Sequence, residues 1–227
     1  MQNLNKKVNI GFISTRLSGT DGVSLEAAKW CEVLEEDGFN CFFVAGELDR
    51  PADKSVLVPE MNFNHPEILA ITQACFKSRL RNPIITKRIH ELKEKFKSDI
   101  YSFIKEFNIS LLIPENALAI PVNIPLGLAI CELIAETGIM TIAHHHDFYW
   151  ERKRFLVNAV GDYLNMAFPP QLLTIRHVVI NSISEREQSH RLGISSTLVP
   201  NVMNYEKPYV PDDGYLSDIR SDLPPKN

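Results

Sequence analysis

The stretch "KVNIGFISTRLSGTDGVSLEAAKWCEVLEEDGFNCFFVAG", residues 7–46, decides the fold class. Its first eight residues form a short apolar run that ends in polar residues, which is typical of a buried parallel strand. The segment 23–38 has helical periodicity, and 40–46 is a second apolar run. A strand, a helix and a strand in this order predict two parallel strands joined by a right-handed crossover.

Alternation of this kind continues along the chain. Further strands are predicted at 108–116, 139–147, 177–182 and 196–204. Helices are predicted at 65–106, 120–138, 148–165 and 184–194, the first of them broken near 81–83 because the residue before a proline resists the helical conformation. The sequence therefore predicts an α/β protein with a doubly wound, Rossmann-like parallel sheet.

Serines and glycines mark the expected helix ends. Ser24 and Ser184 are expected to cap the first turn of two helices, because a hydroxyl accepts hydrogen bonds from unpaired amides. Gly38, Gly138 and Gly193 are expected to end three helices.

Composition excludes several classes of protein. The net charge of −4 gives no indication of a nucleic-acid partner, and no apolar run approaches the roughly 20 residues that span a bilayer. The amphipathic segment 65–106 lacks an apolar face rich in Trp and Phe, so we expect a solvated helix pair rather than a membrane-surface element. The N-terminus does not resemble a signal peptide, and four widely spaced cysteines predict reduced thiols, which together predict a cytoplasmic protein.

Ligands of open parallel sheets bind at the carboxyl ends of the strands, where the stretch "HHHDFYWERKRF", 144–155, is predicted to lie. Strand alternation places His144 and His146 on one face and His145 on the other. Two histidines with Asp147 could bind zinc or iron. Since no second ligand cluster and no HExxH motif accompany them, we predict no metal and expect His144 and His146 to contact a polar substrate. Glu115, on the same rim, could form an acid–base pair with Asp147.

Two further segments could bind anions. Gly19 and Gly22 in "GTDG" allow close backbone approach at a helix N-terminus, although a simple glycine-containing turn explains them equally well. Arg152 and Arg154 could be forked donors to a phosphate or carboxylate, or could belong to a solvated helix face.

The ordered set of motifs resembles the family-4 retaining glycosyltransferases, which have the GT-B fold. Leu25 to Gly46 resembles the family pattern "hxxLAxxLxxxGHxVxVxxG", and "HHHDFYW" resembles the segment that carries the family's histidine at a strand end. "VVINSISEREQSHRLGI" resembles "vixvSexxxxxlxxxGi", and "STLVPNVMNYE" resembles "vxVIPNGVDxxxF". The resemblance covers nearly the whole chain.

This resemblance implies an enzyme that transfers a sugar from a nucleotide-diphospho-sugar to an acceptor with retention of configuration, without a metal or other cofactor. Residues 1–204 would form the acceptor-side domain, the N-terminal half of a GT-B fold. The loop with Gly19, Asp21 and Gly22 would lie near the donor diphosphate. The family's histidine would be His146, with His144 and Asp147 beside it.

The resemblance also gives expectations for the acceptor and the domain boundary. Four residues would bind a small-molecule or glycan acceptor, polar or anionic: Arg16, Glu115, Arg152 and Arg154. Pro200 and Asn201 would lie at the interdomain hinge. Residues 205–227 would be a linker to a C-terminal donor-binding domain or subunit, so the chain is expected to be truncated and inactive alone.

A non-catalytic α/β module that binds a sugar phosphate or related anion is the alternative. A dinucleotide-binding domain or a phospho-acceptor domain is disfavoured. The first strand ends in Ser14 rather than an aspartate, and no acidic ribose ligand follows the second strand unless Glu47 or Asp49 serves.

Overall fold

The computed structural model describes residues 8–201 and shows one sheet of seven parallel strands in the order β3-β2-β1-β4-β5-β6-β7. This confirms the predicted Rossmann-like α/β class. The strands are β1 Asn9–Ser14, β2 Asn40–Ala45, β3 Ser55–Leu57, β4 Leu111–Pro114, β5 Met140–His145, β6 Ile175–Val179 and β7 Ser196–Leu198.

Helices connect these strands. They are α1 Gly22–Glu36, α2 Pro66–Cys75, α3 Pro83–Glu106, α4 Ile124–Thr137, α5 Lys153–Leu156, α6 Gly161–Ala167 and α7 Ser182–Leu192. The predicted break near 81–83 is confirmed, since α2 ends before it and α3 begins at Pro83. Within residues 8–201, no helix has both the length and the apolar character that crossing a membrane requires.

Two elements differ from the prediction. The short strand β3 was not predicted, because three half-buried or exposed residues are too few to show a periodic pattern. The single helix predicted at 148–165 is instead a 3-10 turn, Tyr149–Glu151, followed by α5 and α6. Asn158 breaks it, because its side chain bonds to the Phe155 carbonyl and the Val160 amide and so competes with helical hydrogen bonds.

The predicted N-caps were wrong by three residues at both helices. Asp21 caps α1 by accepting from the amides of Val23 and Ser24, and Asn181 caps α7 in the same way. A carboxylate or amide oxygen at these positions reaches two amides at once, and Ser24 and Ser184 then lie inside the first turn. The glycine stops are confirmed at Gly138 and Gly193, which adopt left-handed φ values of 65° and 67°.

Helices cover both faces of the sheet. Ile10 and Phe12 of β1 pack with Ala27 of α1 on one face, whereas Ile13 belongs to the larger cluster that contains Phe96 of α3. This is the side-chain alternation expected of a strand buried on both faces. The four cysteines are free, as predicted.

The strand order reverses between β1 and β4, and in this fold such a switch point opens a crevice at the carboxyl ends of the strands. The crevice is the expected ligand site. The predicted linker at 205–227 lies outside the described residues.

Candidate functional site

A cavity of about 190 Å³ lies at the switch point between β1 and β4. We call it the rim cavity. Four of the predicted site residues line it, namely Arg16, Asp21, Glu115 and Arg154, and Asn116 and Phe63 join them. The structure thus brings together residues that are up to 138 positions apart in the sequence (16 to 154) at the place where the fold class predicts a ligand.

Three residues form a histidine cluster beside this cavity: Glu115, His144 and His146. Nδ1 of His144 lies 3.0 Å from Oε2 of Glu115, and Nε2 of His146 lies 3.5 Å from the same oxygen. His145 points to the opposite face, where its Nε2 lies 2.9 Å from Nδ1 of His177. The placement of His144 and His146 on one face of the sheet and of His145 on the other is the one that strand alternation predicts.

Exposure distinguishes the members of the histidine cluster. Glu115 and His144 are fully buried, and the His144 ring stacks on Trp30 of α1 with 4.5 Å between ring centroids. The side chain of His146 remains 10% exposed. His146 is therefore the less buried histidine of the cluster, and Glu115 is the member of the cluster that lines the rim cavity.

The pKa of Glu115 lies below its ordinary value in spite of the burial of the carboxyl group. Burial by itself raises the pKa of a carboxyl group, but the hydrogen bonds from His144 and His146 outweigh that effect and hold the pKa of Glu115 below its ordinary value. Glu115 lines the rim cavity, and its predicted role in binding the acceptor stays a prediction. Its burial also suits it to hold the two imidazole rings in position.

The histidine cluster has a donor set that could hold a metal ion. Its ligand atoms all lie within 4.8 Å of one another, and two histidines with one carboxylate suit zinc or non-haem iron. The same arrangement also pairs Glu115 with a hydrogen bond from His144 and a 3.5 Å contact with His146. The absence of a metal therefore stays a prediction.

Asn116 links the carboxyl ends of β4 and β5. Its backbone has a left-handed φ of 55°, its amide donates to the His144 carbonyl, and its side chain accepts from the His146 amide at 3.1 Å. The side chain also donates to Asp147 at 3.0 Å. Its position after a strand placed Asn116 on the rim, but no sequence motif indicated this linking role.

The three predicted acceptor arginines differ in their partners. Arg16 pairs with Asp21 at 3.1 Å, and Arg152 pairs with Asp147. Arg154 has no ion-pair partner within residues 8–201, and its guanidinium lies 4.6 Å from the centroid of the Phe155 ring. Arg154 is thus the predicted acceptor arginine whose charge is not compensated by a neighbouring carboxylate.

Carboxylates occupy part of the glycine loop that was predicted to lie near a diphosphate. The Gly19 amide donates to Asp49 at 2.7 Å, and Asp21 accepts from the first-turn amides of α1. Burial raises the pKa of Asp21, but bonds from Ser24 and the charge of Arg16 lower it overall. Gly22 faces open space, so a donor could approach the loop there. The diphosphate role stays a prediction.

Pro200 and Asn201 are exposed and end the described part of the chain. They follow β7, and the Val199 amide before them still bonds to the Val179 carbonyl at 2.9 Å. A role as interdomain hinge stays a prediction.

Comparison with known proteins identifies relatives of this chain. No model of a protein family matches the chain. The chain is 31% identical to mannosylglucosylglycerate synthase of Thermotoga maritima over 212 residues, which cover 92% of this chain and 48% of the relative. It is 30% identical over 221 residues to mannosylglucosylglycerate synthase of Petrotoga mobilis, covering 95% of this chain and 50% of the relative.

These relatives are glycosyltransferases. The chain spans about half the length of the curated relatives it matches.

Proposed function

We propose that this chain is the acceptor-binding part of a retaining glycosyltransferase with the family-4 GT-B architecture. The observation that carries the proposal is that His146 and Glu115 lie at a cavity lined by Arg154, which has no ion-pair partner among residues 8–201, in a chain whose relatives are glycosyltransferases. A partly exposed histidine side chain and a cation without an ion-pair partner among residues 8–201, both at a switch point, suit a polar, anionic acceptor.

The relatives' name indicates the acceptor class. Mannosylglucosylglycerate contains a mannosyl unit, a glucosyl unit and a glycerate, and the glycerate carries a carboxylate. We therefore propose glucosylglycerate as the acceptor and a nucleotide-diphospho-mannose as the donor. A guanidinium binds a carboxylate through two parallel hydrogen bonds, which is the role given to Arg154.

The reaction would break the bond between the donor sugar and its diphosphate and form a bond to an acceptor hydroxyl. The nucleoside diphosphate would leave, and the proton of the hydroxyl would pass to its departing phosphate oxygen. His146 would contact the transferred sugar. Glu115 would fix the orientation of its ring, and Asn116 would fix its backbone. In this proposal a second domain or subunit binds most of the donor, as the family resemblance implies.

Ligand binding to the 227-residue chain tests the proposal. We expect glucosylglycerate to raise the melting temperature in a saturable way, because a ligand that binds only the folded state stabilises it. GDP-mannose alone should have little effect. Arg154→Ala should abolish the stabilisation, and Arg186→Ala, which removes an exposed arginine on α7, should not.

Three outcomes would contradict the proposal. Stabilisation by GDP-mannose but not by glucosylglycerate would assign the donor side to this chain. Stabilisation by mannose 6-phosphate alone would favour a non-catalytic module that binds sugar phosphates. Sugar transfer by the purified chain would contradict the division of donor and acceptor sites.

A further inference from the structure

A second cavity, of about 550 Å³, adjoins the rim cavity. We call it the distal cavity. Arg154 lines both cavities, so the two share a wall. The other residues of the distal cavity are Thr72, Gln73, Phe76, Lys77, Ser78 and Phe155.

Backbone pairing fixes the walls of the distal cavity. The segment after α2 runs antiparallel to the segment before α6, with a bridge between Phe76 and Asn158. The Lys77 amide donates to the Val157 carbonyl at 2.8 Å, and the Ala159 amide donates to the Cys75 carbonyl at 2.8 Å. The two walls are therefore held together by main-chain hydrogen bonds and do not depend on exposed side chains.

Two buried aromatic rings support the cavity. Phe76 and Phe155 meet edge to face with 4.9 Å between their centroids, and they are 6% and 2% exposed. Sugar and glyceryl carbons can pack against such apolar groups, while Thr72, Gln73 and Ser78 provide hydroxyl and amide groups for hydrogen bonds.

The cavity carries uncompensated positive charge. Within residues 8–201, neither Lys77 nor Arg154 has an ion-pair partner. The backbone of Lys77 has a left-handed φ of 66°, which is uncommon for a residue with a side chain and costs of order 1 kcal/mol. Such strain is found at binding sites, and here it accompanies a cation that lines a cavity.

We propose that the distal cavity is a second acceptor subsite, which binds the carboxylate-bearing unit of the acceptor between Lys77 and Arg154. The sugar unit whose hydroxyl reacts would then occupy the rim cavity, near His146. This inference rests on the proposed function and deepens it, because it defines an acceptor with at least two units and an anionic distal end.

The test compares two probes that differ at a single carbon, which is ionised in one and neutral in the other. Glucosylglycerate carries a carboxylate where glucosylglycerol carries a hydroxymethyl group. Titration calorimetry with the 227-residue chain should show tighter binding of glucosylglycerate. Lys77→Ala should weaken that binding about tenfold and leave glucosylglycerol unaffected, because a charge-assisted contact is lost. Arg79→Ala, a neighbouring exposed cation outside the cavity, should change neither affinity.

A second substitution separates a loss of binding from a failure to fold. Lys77→Gly also removes the charge and suits the left-handed φ, so it should fold at least as well as the wild type and lose the same affinity. If both variants bind glucosylglycerate as the wild type does, the subsite assignment is overturned while the acceptor function stands. If the wild type binds neither probe, the acceptor function is overturned and the subsite with it.

Discussion

At the scale of single residues, Glu115 organises the site. A fully buried carboxylate is costly unless it is paired and hydrogen-bonded, and two histidines on the neighbouring strand supply those contacts. Because the same residue contacts both His144 and His146, its charge ties the accessible histidine to the buried one. We infer that the geometry of His146 depends on Glu115.

Substitution of Glu115 tests this role. Glu115→Gln should lower the free energy of unfolding at pH 7 by roughly 1.5–3 kcal/mol, the usual contribution of a hydrogen bond to a charged group. Since the folded-state pKa of Glu115 is lowered, its stabilisation is present above the unfolded pKa of about 4.3 and is lost as the pH falls through the folded value. Urea unfolding at pH 7 and pH 3.5 measures the difference.

The matched control is Glu36→Gln, which removes an exposed carboxylate at the end of α1 and should leave the stability nearly unchanged. An equal loss for Glu115→Gln at both pH values would show that its effect is not electrostatic.

Sequence reasoning found part of the site at this scale. Strand alternation paired His144 with His146, and the arginines of "WERKRF" included Arg154. Trp30 was missed, because an aromatic residue in a helical pattern indicates core packing and its partner His144 is 114 positions away in the chain. Lys77 was missed because a single lysine in a basic segment gives no indication of a left-handed backbone or a cavity.

At the scale of elements, the packing of α4 depends on a small residue. A Cβ atom at Gly127 would lie 2.2 Å from the ring of Phe168, which is 1% exposed and cannot move aside. This close contact holds α4, the helix that follows β4 in the chain, against the ring of Phe168.

Gly127→Ala should therefore destabilise the protein. Overpacking typically costs about 1–3 kcal/mol, and we expect a net loss even though alanine favours a helix by about 1 kcal/mol over glycine. Gly161→Ala is the control, because the nearest atom to its added Cβ lies 3.9 Å away. Thermal unfolding should show a lower melting temperature for the first variant only. A stabilised Gly127→Ala would mean that Phe168 can relocate.

Elements with strong local signals were predicted well. Helix α4 has a proline in its first turn and Gly138 after its end, so residues near its ends mark its bounds. The break before α3 is marked in the same local way by Pro83. The region 148–165 was mispredicted because its backbone pairs with 75–77, a partner that no local pattern reveals.

At the scale of the whole molecule, stability in acid depends on a buried pair of histidines between β5 and β6. Burial lowers the pKa of His177 to about 4 and holds the pKa of His145 well below its usual range. Both rings are therefore neutral in the folded protein at neutral pH, and their nitrogens lie 2.9 Å apart.

We expect the free energy of unfolding to fall as the pH decreases from about 6.5 towards 4. The unfolded chain takes up protons in this range that the buried histidines cannot accept, so protonation favours unfolding. Urea unfolding at intervals of pH measures the slope. His177→Gln should reduce the slope of the unfolding free energy against pH. His190→Gln, at an exposed position, should leave that slope unchanged. A stability that is constant between pH 7 and pH 4.5 would contradict this prediction.

The fold class could be predicted without the structure, because the alternation of apolar runs and helical periods is a local property that favours a parallel sheet with helices on both faces. The sequence alone also placed the histidines and Arg154 on the rim, since side-chain alternation and the carboxyl ends of strands follow from local geometry. The three-dimensional contacts were needed to show that Arg154 has no ion-pair partner among residues 8–201, that Glu115 contacts both histidines, and that Lys77 and Arg154 line one cavity. Those facts depend on contacts between residues far apart in the chain, and such contacts arise only when the sheet and its loops are assembled.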